Sequence, residues 1–200
     1  MKRTAPVSHP VHELIAERHS PRCFSARDIE PQTLASLFEA ARWAPSSFNE
    51  QPWRFIIAPR QDKAAFDGIV DLLTPGNQGW AHTAAVLGVS VAKLTFTRNG
   101  KPNRHALHDV GIAMGLMAAQ ATAHGVGMHM MAGFDHQRAR EALAIPEDFE
   151  AVAAFALGYP EEPENLPEAE REKVMAPRKR HPLDELLFEG RFGEPVKALP

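Results

Sequence analysis

The sequence predicts a mixed α/β or α+β domain with several helices packed against one sheet. Three observations carry this. Four short apolar runs, at 53–58, 85–91, 126–131 and 151–157, read as strands. Between them lie stretches whose apolar residues recur at helical spacing. One of these, 107–124, is apolar almost all round, which places it in the middle of the fold.

In chain order, 11–18 reads as a short helix with Ser8 as its candidate cap. Residues 31–43 form a stronger one. Pro31 sits in a first turn, where its missing N–H costs nothing, and Leu34, Leu37, Phe38 and Ala41 share a face. Pro45 stops it. The strand 53–58 lies between two prolines, and 61–73 is helical with Ala65, Ile69, Leu72 and Leu73 inward. Thr74-Pro75-Gly76-Asn77 is turn chemistry. After the strand 85–91, Asn99-Gly100-Lys101-Pro102 breaks the chain again, and Gly125 ends the long helix 107–124. The strand 126–131 precedes a helix capped by Asp135 and running through Leu143, and 151–157 is the fourth strand. Beyond Tyr159 the chain is rich in Pro and Glu, then basic, and reads as an extended tail with a short helix at 183–188.

Two hundred residues supply one domain, 1–200, with the tail starting at about 160. Lys and Arg number 22 against 25 Asp and Glu, a net charge of −3 that argues against a nucleic-acid partner held by phosphate neutralisation. The chain is long enough to bury a core without staples. Cys23 is the single cysteine, so no intrachain disulfide can form, and a reducing, cytoplasmic location fits. The N-terminus lacks the apolar segment of an export signal, and 110–119 is too short to span a bilayer, so no membrane partner is expected.

There is no G-x-G-x-x-G, no G-x-x-x-x-G-K-[ST] and no G-x-S-x-G. Cys23 reads more readily as a small buried hydrophobe than as a nucleophile. His105 and His108, with Asp109 beside them, and His9 and His12 are spaced like metal ligands. Neither pair has a third partner, and polar residues at helix starts are the simpler reading, so no metal is expected.

Three segments rise above this background. Arg18-His19-Ser20-Pro21-Arg22 puts two guanidinium groups around a hydroxyl where a helix runs into a loop. That set suits a phosphate, although a solvated helix end would look the same. Pro45-Ser46-Ser47-Phe48-Asn49-Glu50-Gln51-Pro52-Trp53 is held between two prolines and rich in short donors and acceptors. It reads either as a polar turn or as the partner of a ring with imide and amide edges. Arg178-Lys179-Arg180-His181-Pro182 is basic in a slightly acidic chain, and in extended backbone Arg178 and Arg180 point the same way.

Together these segments resemble the nitroreductase family of flavin enzymes. That family opens with an Arg-x-Ser-x-Arg-type segment and follows it with Pro-Ser-Ser-x-Asn-x-Gln-Pro-Trp, a string present here in full. Leu107-His108-Asp109-Val110-Gly111-Ile112-Ala113 resembles its central helix and Met131-Ala132-Gly133-Phe134 its ring-contacting loop. Leu157-Gly158-Tyr159-Pro160 resembles its last core strand, and 178–183 its phosphate-binding tail. The resemblance spans about residues 8 to 188.

The resemblance implies an α+β fold with a central, mostly antiparallel sheet of about four or five strands flanked by helices. It also implies an entwined homodimer with FMN between the subunits. Arg18, His19, Ser20 and Arg22 would hold the phosphate and ribityl chain, and Arg178 and Arg180 would close on the phosphate. Pro45, Ser46, Ser47, Asn49 and Gln51 would reach across the interface, and Ala132 and Gly133 would offer N–H groups near the flavin N5. No side chain is expected to be the catalyst, because the redox chemistry belongs to the flavin. NAD(P)H would be the hydride donor and a small nitroaromatic or quinone the acceptor. The alternatives are an FMN-binding protein without reductase activity, or a related flavin enzyme performing ene reduction, dehalogenation or flavin fragmentation. Asn77 and Trp80 are the candidates for the group that relatives place at the ring's carbonyl edge. The chain also looks short between Trp80 and Arg104, where relatives carry lid helices.

Overall fold

Four antiparallel strands form the centre: β1 (Trp53–Pro59), β2 (Val86–Lys93), β3 (Gly127–Met131) and β4 (Phe149–Gly158). They lie in the order β1-β2-β4-β3, so the sheet expected at four or five strands has four. The computed structural model describes residues 3–165 and 168–197. Residues 1–2, 166–167 and 198–200 of the expected single domain lie outside the described residues.

Among the described residues there are seven α-helices: α1 (Glu13–Glu17), α2 (Pro31–Arg42), α3 (Lys63–Val70), α4 (Pro75–Ala81), α5 (Ala106–Ala123), α6 (His136–Ala142) and α7 (Glu168–Met175). Strand alternation sorts the core into two layers. Val86, Phe155 and Leu157 face one way, against Leu37 and Ala41 of α2 and Val110, Met114 and Met117 of α5. Leu87, Val89, Ala154 and Ala156 face the other, against Phe66 and Ile69 of α3, Trp80 of α4 and Ala139 of α6. No helix among the described residues is long and apolar enough to cross a membrane.

Several local expectations are corrected. The first helix begins at Glu13 rather than residue 11, and His12, not Ser8, caps it by accepting from the Leu14 N–H. Ala65 is exposed and Phe66 takes the inward position, because the helix starts at Lys63 behind the Asp62 cap and its phase shifts. Thr74-Pro75-Gly76-Asn77 is not a turn but the start of α4. Pro75 pre-sets the first helical turn, and burial of Trp80 and Ala81 outweighs the two glycines. The expected helix at 183–188 shrinks to one turn, Leu183–Glu185. The tail gains α7, where strong helix formers were obscured by the Pro- and Glu-rich surroundings.

Two residues on β2 make the sheet possible. A Cβ at Gly88 would run into the Phe155 ring, so glycine there gives that fully buried ring its place. Register shifts between Ser90 and Val91. The fully buried Ser90 hydroxyl bridges the gap, donating to the Ala153 carbonyl (3.1 Å) and accepting from the Ala153 N–H (3.2 Å). Ser90→Ala leaves both backbone groups unpaired. It should lower stability by about 1–3 kcal/mol, read as a fall in the urea midpoint at unchanged slope.

Candidate functional site

The first predicted segment sits where α1 ends. Arg18 is the C-cap of α1, half-buried, and His19 follows it. The carbonyls at this helix end carry partial negative charge, and Arg178 binds them: its guanidinium donates to the carbonyls of Ala16 (2.9 Å) and Arg18 (2.7 Å). It also donates to the Arg3 carbonyl, while Arg3 donates back to the carbonyls of Val174 and Ala176. The two ends of the chain therefore clasp each other over the end of α1. Arg180, exposed and close in charge to both Arg18 and Arg178, completes the cluster.

Burial, and then repulsion from Arg180, lower the Arg18 pKa; burial, followed by Arg18, Arg180 and Arg3, lowers that of Arg178. Among the described residues no carboxylate pairs with Arg18, Arg178 or Arg180. Cations gathered without counter-charge fit an anionic ligand. Beside them Ser20, Arg22, His19 and His129 line a cavity of about 370 Å³. His129, on β3, bonds the Pro21 carbonyl (2.8 Å) and stacks on Trp80 at 4.5 Å between ring centres. Burial, with Arg178, Arg3 and Arg18, depresses the His19 pKa; burial, with Arg22 and Arg18, depresses that of His129. Cys23 is buried with its Sγ 3.7 Å from the Glu162 carbonyl, and burial together with Glu161 pushes the thiol up, which suits a packed hydrophobe.

The second segment joins α2 to β1. Phe48, Asn49 and Gln51 all lie in the left-handed region, at φ 54°, 55° and 51°. Three such residues within four positions store strain, which is characteristic of functional loops. The loop is pinned from three sides. The Ser46 Oγ accepts from the Gln51 N–H (3.0 Å), and the Gln51 side chain donates to the Asn49 carbonyl (3.3 Å). Asp109 of α5, only 3% exposed, accepts from the Ser47 N–H (2.9 Å), and its other oxygen meets His108 (3.0 Å). Pro45 and Asn49 are exposed, and Ser46, Ser47 and Gln51 half-buried.

The Ala132–Gly133 loop follows β3. Asn77 Nδ2 and the Thr74 N–H both donate to the Gly133 carbonyl (3.0 Å each), and the Phe134 N–H donates to the Ala132 carbonyl (3.0 Å). A Cβ at Gly133 would lie 2.8 Å from Asn77 Nδ2 and Thr74 Oγ1, so a larger residue there would push both side chains aside. Ala132 is exposed beside it.

The structure thus brings Arg18, His19, Ser20, Arg22, Arg178 and Arg180 to one end of α1, with the Ala132–Gly133 turn at the far end of the neighbouring β3. It does not bring the 45–51 loop to them. That loop is fastened to Asp109 in the first turn of α5, whereas His19 shares a second cavity with Thr122 and Gly125 at the helix's other end. Thirteen residues of helix, about 20 Å, separate the two ends. Sequence reasoning missed the positioning roles of Asp109, Arg3 and His129. Asp109 was visible beside the His105 and His108 pair and within the 107–113 string of the resemblance, but not as the anchor of the 45–51 loop. Trp80, a candidate ring contact, is instead 1% exposed in the core, while Asn77 supports Gly133. Among the described residues no cluster of metal-ligand type is found.

The model of the Nitroreductase family matches residues 15–159. A crystal structure described as an oxidoreductase containing FMN superposes with a TM-score of 0.89 at 35% identity, over 95% of this chain and 96% of that one. An Archaeoglobus fulgidus protein named for NADH dehydrogenase/NAD(P)H nitroreductase is 27% identical over 79% of this chain and 90% of its own. The 5,6-dimethylbenzimidazole synthase of Rhodospirillum rubrum is 28% identical over 90% of this chain and 98% of its own.

The depressed histidines give a pH dependence of defined sign. Unfolded histidine binds its proton near pH 6.5, above the folded values of His19 and His129. The unfolded state therefore takes up more protons as pH falls through about 6.5, and stability drops there. Melting temperature in anion-poor buffer should fall between about pH 7 and 5.5, and His129→Gln should flatten that fall.

Proposed function

The chain belongs to the nitroreductase family, and on that premise we propose that it is an FMN-dependent oxidoreductase that takes hydride from NAD(P)H and reduces a small acceptor such as a nitroaromatic or quinone. The observation that carries this is the cluster of half-buried Arg18 and Arg178 with exposed Arg180, close in charge and without carboxylate partners among the described residues. A phosphate there would relieve their repulsion and accept charge-assisted hydrogen bonds. The glycine cradle at Gly133 and the amide-rich 45–51 loop fit the remainder of a flavin: a ring needing backbone approach, and a polyol chain needing amphoteric partners.

In this reading Arg18, His19, Ser20 and Arg22 hold the phosphate and ribityl chain, and Arg178 and Arg180 close over the phosphate. Ala132 and Gly133 present N–H groups toward N5. The loop of Pro45, Ser46, Ser47, Asn49 and Gln51 comes from a second copy of the chain. About 20 Å of α5 separates that loop from the cations of its own chain, and two copies packed antiparallel through α5 would join them. The exposed face of α5 carries Leu107, Gly111, Gly115 and Leu116, apolar or small residues that a partner would cover.

FMN, when bound, supplies the redox step, accepting hydride from the nicotinamide and delivering two electrons onward. A nitro group that takes up a hydride and a proton releases one oxygen as water and becomes nitroso; a quinone taking the same pair becomes the hydroquinone. The protein's part is to exclude water, to orient both substrates and to place N–H dipoles where negative charge develops.

A second reading, fragmentation of the flavin itself, is favoured by the end-to-end match to the dimethylbenzimidazole synthase. The two part in air. Under the first, flavin absorbance returns after each addition of NAD(P)H; under the second it is lost for good. Purified protein should be yellow and should bleach anaerobically with NAD(P)H. Arg18→Ala should weaken FMN binding by about 1.5–3 kcal/mol, read by fluorescence titration. Colourless protein that takes up no added FMN would contradict the proposal.

A further inference from the structure

The 45–51 loop and the connection from β2 to α5 are fastened into one unit. The Glu50 carboxylate accepts from the Thr97 N–H (2.8 Å), the Thr97 hydroxyl (2.5 Å) and Lys93 Nζ (3.4 Å), and its side chain is only 7% exposed. These donors, the Thr97 hydroxyl foremost, hold the Glu50 carboxyl below the usual carboxylate range. The connection itself is a narrow hairpin: the Phe96 N–H donates to the Lys101 carbonyl (2.9 Å), Thr95 bridges Pro102, and Gly100 turns it at φ 68°.

This latch builds a small surface. Phe96 meets Phe48 edge to face at 5.7 Å between ring centres. The Arg98 guanidinium lies 4.0 Å from the Phe48 ring centre and 5.4 Å from that of Phe96. Phe48 is 71% exposed in the left-handed region, unfavourable for a large apolar side chain on both counts. Among the described residues Arg98 has no hydrogen-bond or carboxylate partner, and residues 93–105 contain four Lys or Arg and no acid. Neither a buried core nor an ion pair explains why these three side chains meet.

We infer that Phe48, Phe96 and Arg98 form the acceptor subsite, and that the acceptor it selects is an aromatic ring bearing an anionic group such as a carboxylate. The inference rests on the flavin reading above, since Phe48 lies between Ser47 and Asn49, both assigned to the flavin. The ring of such an acceptor packs on the aromatic pair, and its anion meets the fork of Arg98. The aromatic faces already orient that guanidinium, so little rotamer freedom is lost on binding. A neutral ring gains the packing alone, and charge therefore carries the discrimination.

The test compares para-nitrobenzoate with nitrobenzene as acceptors for the FMN-loaded protein. The carboxylate should be preferred in kcat/KM by about tenfold, mainly through KM, and added salt should shrink the preference. Arg98→Gln should erase the ratio between the two acceptors, and Arg98→Lys should restore part of it. Calorimetric binding of benzoate reads the same subsite without turnover, with an affinity loss of about tenfold in Arg98→Gln. No benzoate binding to the unaltered protein, or a preference that survives Arg98→Gln, overturns the subsite. Protein that is yellow and bleached by NAD(P)H yet shows no preference rejects the subsite and leaves the flavin reading standing. Protein that takes up no FMN rejects both.

Discussion

Everything at the candidate site depends on keeping Arg18, Arg178 and Arg180 close together with no carboxylate among the described residues paired to them. The end of α1 makes this possible. Its terminal carbonyls, the negative pole of a short helix, bind the Arg178 guanidinium, and Arg3 clasps the backbone of the tail in return. Neutral dipoles thus hold the cations in place while leaving their charge uncancelled. A carboxylate in the same position would anchor Arg178 equally well and remove the attraction for an anion. Burial first, and the same arginines after it, hold the neighbouring His19 and His129 toward the neutral form.

The second constraint is the length of α5. Asp109 near its start secures the strained 45–51 loop, and its far end abuts the segment that carries His19. A rigid helix of that length keeps the two halves of the proposed site apart within one chain. The same helix is buried on one side and offers small and apolar residues on the other, the face through which the proposed second copy would bring its loop to these cations. Sequence composition alone cannot separate a core helix from an interface helix, because both read as apolar all round.

Most of the fold was legible because strands and long helices carry strong periodic signals. The four strands and α2, α5 and α6 fall within a few residues of their expected places, and the nitroreductase resemblance rested on short strings rather than overall composition. What the sequence hid was set by tertiary contact. Thr74–Asn77 has turn chemistry, yet burial of Trp80 draws it into a helix. Trp80 itself looked available for a ligand and is packed on His129. Asp109 gave no sign of its role, since its partner is a backbone N–H 62 positions away. The Phe48–Phe96–Arg98 cluster was equally silent, since it joins a loop and a hairpin through Glu50, whose acceptors are filled only in the folded chain.

The central claim is that the cations at the end of α1 hold the phosphate of a flavin mononucleotide. Comparing FMN with riboflavin, which shares every atom except the phosphate, isolates that contact. At moderate ionic strength FMN should bind at least about a hundredfold more tightly than riboflavin, equivalent to two charge-assisted hydrogen bonds, and the gap should narrow as salt rises. Equal affinity for the two ligands would contradict it and place the flavin, or the function, elsewhere.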